Sequence, residues 1–315
     1  MAHGLLVALD GSTFAARAVP YAELLAQRCR AELILARAVH LTAHTIPSPT
    51  PTSETEANKQ AFAEAEEYLA ELQRDVEADV SHVAVAVEGG ATARVLLELA
   101  REREVSLIVI ATHGRSGLSR WVMGSVAEQV LRQTHVPVLL LPPRALDAGP
   151  PQRLLQRMAV PVDDSEVSRR IFPVAKELAR RLHVPITLFR AIEPARYVDI
   201  GLLDTYDMPV PSDIIQAAQT GATETFEELA AQWRREGIDT DFVVEVGMAA
   251  AVIATTAASR QAGWIAMASH GRGGLGGLVL GSTALSVVHR SSLPVVLAAM
   301  PSLDRYHLGT AENGE

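Results

Sequence analysis

No disulfide can form within this chain, because Cys29 is the sole thiol among its 315 residues. The same scarcity excludes a thiolate metal cluster built by one chain. Cys29 ends the apolar-periodic stretch AELLAQRC, where a small packing role is expected. Basic residues are too few for a polyanionic partner. Against 28 Lys and Arg stand 37 Asp and Glu, a formal charge of −9, which excludes nucleic acid and an anionic membrane as the main partner. No uninterrupted apolar run approaches the roughly 18 residues of a membrane span, and the opening MAHGLLVALD has no basic leader region. A soluble, intracellular, cytoplasmic protein is the expectation. Also missing are H-E-x-x-H and C-x-x-C, so a zinc site has no support, and no G-K-[ST] follows a glycine run, so there is no Walker loop.

What is there is a globular composition, 48% hydrophobic and 21% charged, in a chain long enough for about two domains. An internal repeat accounts for that length. The stretch ATHGRSGLSRWVMGS, from Ala111 to Ser125, returns as ASHGRGGLGGLVLGS, from Ala268 to Ser282, with nine of fifteen positions identical. Gly114 and Gly271 lie 157 positions apart, and the same spacing maps Gly90 onto Gly247 and Pro137 onto Pro294. Nearer the start, LVALDGS matches AVPVDDS and LARAV matches LFRAI at a spacing of 153. A period this long means duplicated domains, expected at residues 1–143 and 157–300, with a Pro- and Gly-bearing linker over 144–156 and a polar, mobile tail over 301–315.

Each copy reads as alternating strand and helix. LLVAL, ELILARAV, HVAVAVE, SLIVIAT and VPVLLL form the strands of the first copy; MAVPV, PITLFRAI, FVVEV, WIAMAS and PVVLAAM form those of the second. Strands 1, 4 and 5 are near-continuous apolar runs, the pattern of parallel strands covered on both faces. A helix is expected from about Ser12, whose hydroxyl can cap its first turn. The fold class is therefore α/β, two tandem doubly wound, Rossmann-like domains.

In such sheets the binding crevice lies beyond the carboxyl ends of the strands, where the connections reverse direction. Asp10 and Asp163 end strand 1 and the glycine segments end strand 4, so both face one crevice if those strands are neighbours. Gly114 and Gly271 permit a close backbone approach. Gly124 with Ser125, and Gly281 with Ser282, open a helix whose unpaired N–H groups and dipole favour an anion. These parts suit a nucleotide's phosphates, and the aspartate can accept from an exocyclic amine such as adenine's. Each part also has a plainer reading, the glycines as turns, the serines and aspartates as caps. His113 and His270 have no carboxylate or cysteine partner at a diagnostic spacing, which favours an orienting or packing role over catalysis. Arg115 and Arg272 either reach phosphate or solvate the loop; Trp121 and Trp264 read as packing. The literal G-x-G-x-x-G of GRGGLG is a decoy, because its counterpart GRSGLS loses two glycines and no acidic residue ends the next strand.

The two segments resemble the universal stress protein motif G-x2-G-x9-G-[ST], and the chain looks like a tandem member of that family from about Leu5 to Ala299. The resemblance implies five-stranded parallel sheets of order 3-2-1-4-5 with ATP, or another adenine nucleotide, held between strands 1 and 4, with Mg as its counter-ion. It implies that Asp10 and Asp163, with the backbone at Ala38 and Ala191, meet adenine. Gly114, Gly124, Ser125 and Val126, with Gly271, Gly281, Ser282 and Thr283, then line ribose and phosphates, and His113 and His270 belong to the same loops. It also implies pairing of domains through the fifth strands, within the chain or in a homodimer. Both copies depart from the motif at its first glycine, replaced by Ala111 and Ala268, whose methyls narrow the ribose side. Asp164 stands where the first copy has Gly11 and adds negative charge, so the second site is expected to be the weaker. The function implied is a nucleotide-responsive module, with slow metal-assisted ATP hydrolysis and a nucleotide-free scaffold as the alternatives.

Overall fold

The computed structural model describes residues 4–41, 52–76, 80–112, 123–194, 210–269 and 280–298. They divide into two compact units, one ending at Asp147 and one running from Ala148 to Ala298.

In the first unit the strands are β1 (Gly4–Leu9), β2 (Leu33–Val39), β3 (Val83–Gly89), β4 (Val105–Ala111) and β5 (Val138–Leu141). All pair in parallel in the order β3-β2-β1-β4-β5. Leu6, Val7, Val109 and Leu139 are wholly buried in the centre of this sheet, the outcome expected of apolar runs covered on both faces. In the second unit β6 (Met158–Pro161), β7 (Ile186–Ile192), β8 (Thr240–Val246), β9 (Trp264–Ala268) and β10 (Val295–Ala298) pair as β8-β7-β6-β9-β10, which is the same 3-2-1-4-5 order. Because β1 neighbours β4 and β6 neighbours β9, each order reverses beside its first strand, and a crevice opens there.

The covering helices of the first unit are α1 (Thr13–Ala16), α2 (Val19–Cys29), α3 (Thr52–Val76), α4 (Thr92–Glu102) and α5 (Ser125–Gln133), followed by the short α6 (Pro143–Asp147). The second unit carries α7 (Phe172–Leu182), α8 (Ser212–Arg235), α9 (Ala249–Ser259) and α10 (Ser282–Arg290). The single helix expected from Ser12 is two. Ser12 does cap α1, its Oγ accepting from Ala15 N at 3.1 Å, but the helix stops at Ala16 and α2 restarts with Pro20 in its first turn. Proline has no N–H to donate and its ring clashes with the carbonyl four residues back, so it sits at a helix start and not in the interior. Duplication shows in the stops as well. Arg30 and His183 end α2 and α7 at φ of 53° and 54°, the same left-handed stop in both copies.

The stretch expected as a linker is ordered. Besides α6 it holds a 3-10 turn over Pro151–Leu155 that buries Leu154 completely. A Cβ on Gly263 would lie 1.7 Å from the Arg153 carbonyl oxygen, so this turn sits directly on the backbone before β9. Trp264 is fully buried as expected, and Cys29 is half-buried at the end of α2.

Candidate functional site

The first unit contains a pocket of about 490 Å³ at the carboxyl ends of β1, β2 and β4. Asp10 reaches it from β1, Arg37 and Ala38 from β2, Ala111 and Thr112 from β4, and Gly124, Ser125 and Val126 from the start of α5. Six of the positions singled out in the sequence's first copy, Asp10, Ala38, Ala111, Gly124, Ser125 and Val126, thus share one cavity or its rim, and the size falls in the range typical of small-molecule sites. His113, Gly114, Arg115 and Trp121, with His270, Gly271 and Arg272, lie outside the described residues.

Asp10 also serves the chain locally. Its Oδ1 accepts from Ser12 N at 2.9 Å, which shapes the turn out of β1. Asp163 repeats this with Ser165 N at 3.0 Å and adds the Ser165 hydroxyl at 2.5 Å, while Ser168 Oγ ties the turn to the Asp163 carbonyl at 2.9 Å. Each aspartate thus caps the turn that leaves its strand, one oxygen accepting from the residue two positions on, and Asp10 also lines the pocket.

At α5 the first intrahelical bond runs from Glu128 N to the Gly124 carbonyl at 3.0 Å. The N–H groups of Ser125, Val126 and Ala127 consequently have no carbonyl of their own helix to bond, and all three residues line the pocket. They form a concave set of donors at the positive end of a helix dipole. In the second unit Gly281, Ser282 and Thr283 open α10 the same way, with Leu285 N bonding the Gly281 carbonyl at 2.9 Å. Gly124 has a further reason to be glycine: its N–H donates to the Thr112 carbonyl at 2.7 Å, and a Cβ would stand 2.8 Å from the same oxygen. Gly281 N meets the Ser269 carbonyl at 2.8 Å. Ala111 and Ala268, the two departures from the motif, are 8% and 7% exposed at the ends of β4 and β9, and Ala111 lines the pocket. Ala38 and Ala191 are half-buried at the ends of β2 and β7.

Sequence reasoning passed over four groups around the pocket. Arg37 places its guanidinium beside Gly11, where a Cβ would come within 2.9 Å, and over the ring of Tyr68 at 5.3 Å. Burial pushes the Tyr68 phenol above its ordinary value, the Asp10 carboxylate adds to that rise, and the Arg37 charge opposes it. His40 Nε2 and Thr92 Oγ1 lie 3.2 Å apart on the far wall. One signal was available: Arg37 and Arg190 are the shared arginine of LARAV and LFRAI. Nothing local marked Tyr68, His40 or Thr92.

The second unit is built differently at two of these points. Gly11 takes φ +84°, a conformation favoured by glycine, whereas Asp164 at the equivalent position does not have a positive φ and pairs with Arg190 at 2.5 Å. Glu193, equivalent to His40, accepts from Ala249 N at 2.7 Å and so caps α9. Among the described residues no group of three or more His, Cys, Asp or Glu is placed to hold a metal ion, and no helix is long and apolar enough to cross a membrane.

A family model, that of the universal stress protein family, matches residues 1–142 and 155–298. Universal stress protein Rv1996 of Mycobacterium tuberculosis is 26% identical over 319 residues, covering 95% of each chain. Universal stress protein Rv2005c of the same organism is 29% identical over 205 residues, and the match spans 64% of each chain, a little under two thirds of that relative's length. Among solved structures, a universal stress protein from Archaeoglobus fulgidus has a TM-score of 0.70 at 22% identity, covering 94% of this chain and 98% of that one, a likeness of fold.

Proposed function

From the premise that this chain belongs to the universal stress protein family, we propose that it is a cytoplasmic stress-response protein that binds ATP or a related adenine nucleotide. The observation that carries this reading is that Asp10, Ala38 and the residues whose N–H groups open α5 line one pocket in the first unit. Its two ends differ in chemistry. Toward β2 a carboxylate and backbone groups suit a purine edge; toward α5 unpaired donors and a helix dipole suit phosphate. The reading extends the same roles to Asp163, Ala191, Gly281, Ser282 and Thr283, and to His113, Gly114, His270 and Gly271 in the loops. Mg would travel with the phosphates as their counter-ion.

Binding without turnover is the preferred form. Hydrolysis needs a group to activate water and charge to stabilise the leaving phosphate; the carboxylates that line the pocket among the described residues are Asp10, which already accepts from the Ser12 N–H, and Glu64 of α3, and this reading gives neither that role. The domain limits read from the sequence, and association through the fifth strands of each repeat within or between chains, belong to the same proposal.

Mass spectrometry of small molecules released from freshly purified protein, followed by titration with ATP, tests it. Co-purified adenine nucleotide or saturable ATP binding supports the reading. Protein that releases none and shows no saturable uptake of ATP up to millimolar concentration overturns it and leaves the scaffold. The Gly124 geometry dictates the disabling variant: Ser125→Asp places a charge at the donor set from an exposed position, whereas any side chain at Gly124 strikes the Thr112 backbone.

A further inference from the structure

Resting on the nucleotide reading, we propose that Arg37 is a base-reading residue: its guanidinium donates a hydrogen bond to a ring nitrogen of the purine at the β2 end of the first unit's pocket. Arg37 lines that pocket and makes no hydrogen bond or ion pair among the described residues. Packing against its faces holds it instead. A Cβ on Gly11 would lie 2.9 Å from the central carbon of the guanidinium and 2.9 and 3.0 Å from its two terminal nitrogens. A point beyond the edge of the group would be nearer the nitrogens than the carbon, so Gly11 stands over the plane. The same group lies over the Tyr68 ring, 5.3 Å from its centroid. All five N–H bonds of a guanidinium lie in its plane, so these contacts fix the group without using a donor.

Position decides which part of a ligand those donors meet. The N–H groups that open α5 are anchored to the exit of β4, because Gly124 bonds the Thr112 carbonyl. Arg37 belongs to β2, and β1 lies between the two strands, so they stand two strand spacings apart, about 10 Å. A nucleotide with its phosphate on the α5 donors therefore turns its base, and not its phosphate, toward Arg37. A purine offers acceptors there, the ring nitrogens N1, N3 and N7, and a bond from the cation to one of them is charge-assisted. Arg37 is half-buried, so a bound base strips water from its donors. With C–H in place of the facing nitrogen those donors are left unpaired, and affinity falls.

The test is equilibrium titration of the full chain carrying Ser282→Asp, which places a charge at the exposed start of α10 and confines the measurement to the first unit. ATP is compared with 1-deaza-, 3-deaza- and 7-deaza-ATP, each with one ring nitrogen replaced by C–H, on this protein and on the same protein with Arg37→Met, folding being verified by circular dichroism. One analogue is expected to bind the Arg37 protein about tenfold more weakly than ATP does. In Arg37→Met that penalty is expected to vanish and ATP itself to bind about tenfold more weakly. Arg37→Lys, which keeps the charge and a donor, is expected to bind ATP more tightly than Arg37→Met and to retain the penalty, and it decides the matter if Arg37→Met binds too weakly to titrate. Equal affinity for ATP and all three analogues, a penalty that persists in Arg37→Met, or one that Arg37→Lys loses overturns the base contact and leaves nucleotide binding intact. ATP binding by the unsubstituted chain that Ser282→Asp abolishes puts the nucleotide in the second unit and overturns the inference as well. An unsubstituted chain that takes up no ATP overturns the nucleotide reading and this inference with it.

Discussion

Gly124 donates its N–H to the Thr112 carbonyl at 2.7 Å, and the same oxygen stands 2.8 Å from where a Cβ would be. One backbone contact therefore joins the exit of β4 to the entrance of α5 and forbids a side chain at the junction. Gly124→Ala should cost about 1–3 kcal/mol, because the obstacle is backbone, which yields less readily than a side-chain tip. Urea denaturation followed by circular dichroism measures it; an unchanged midpoint would show that the contact relaxes without cost.

Glycines elsewhere grade that effect. Gly263→Ala meets the Arg153 carbonyl at 1.7 Å and should be the most damaging, above about 3 kcal/mol. Gly221 lies inside α8 with nothing within 4 Å of a Cβ, so Gly221→Ala should stabilise by about 1 kcal/mol through helix propensity alone. The predicted order of thermal midpoints is Gly221→Ala, wild type, Gly124→Ala, Gly263→Ala.

Tyr68 has a buried hydroxyl with no hydrogen-bond partner among the described residues. Burial and the nearby Asp10 raise its folded pKa above the ordinary value of 10.0, so its contribution to stability is fully present below that value and is lost as pH rises through the folded pKa. Tyr68→Phe should be neutral or stabilising by up to about 1 kcal/mol near neutral pH, since it removes an unsatisfied group. It should also lose less stability than the wild type between about pH 9 and pH 11. Paired denaturation curves across that range decide the matter; parallel losses in both proteins count against it.

Glu236, at the C-terminal end of α8, holds Lys176 Nζ at 2.8 Å from both carboxylate oxygens and Arg180 Nη2 at 3.0 Å. Lys176 also lies 4.9 Å over Trp233, whose ring meets Phe172 edge-on at 4.9 Å. The hydrogen bond from Lys176 holds the carboxyl below its ordinary value of 4.5. The stability this brings is present above pH 4.5 and is lost as pH falls through the folded pKa. Glu236→Gln should be less stable than wild type by about 0.5–1 kcal/mol at pH 7, with the gap closing below about pH 4. A gap that persists in acid would assign the loss to packing.

The duplication, the strand runs and the interval from the first motif glycine to the Gly-Ser pair could all be read from the chain, because each is written in local order: apolar runs for buried parallel strands, and a fixed spacing repeated once. The strand order became readable only through family resemblance. What local order does not contain is pairing across the crevice. Arg190 finds Asp164 from 26 positions away, and His40 finds Thr92 from 52. The break at Pro20 was within reach of the sequence and was missed; the helical turns over 143–155 were hidden because proline and glycine signal a linker whether or not Leu154 is buried behind them.

The closure at Thr112 and Gly124 makes the segment between them an exchangeable cassette. The bond that closes it runs from backbone to backbone and specifies no side chain of its own. Ser269 and Gly281 frame a second cassette on the same terms. Met123 and Leu280, the last residue of each, are buried apolar side chains, and the interiors retain His, Gly, Arg, Gly, Leu and Val at matching places. Swapping the two interiors should therefore leave both units folded, and would ask directly what, other than the fold, has kept the two texts alike.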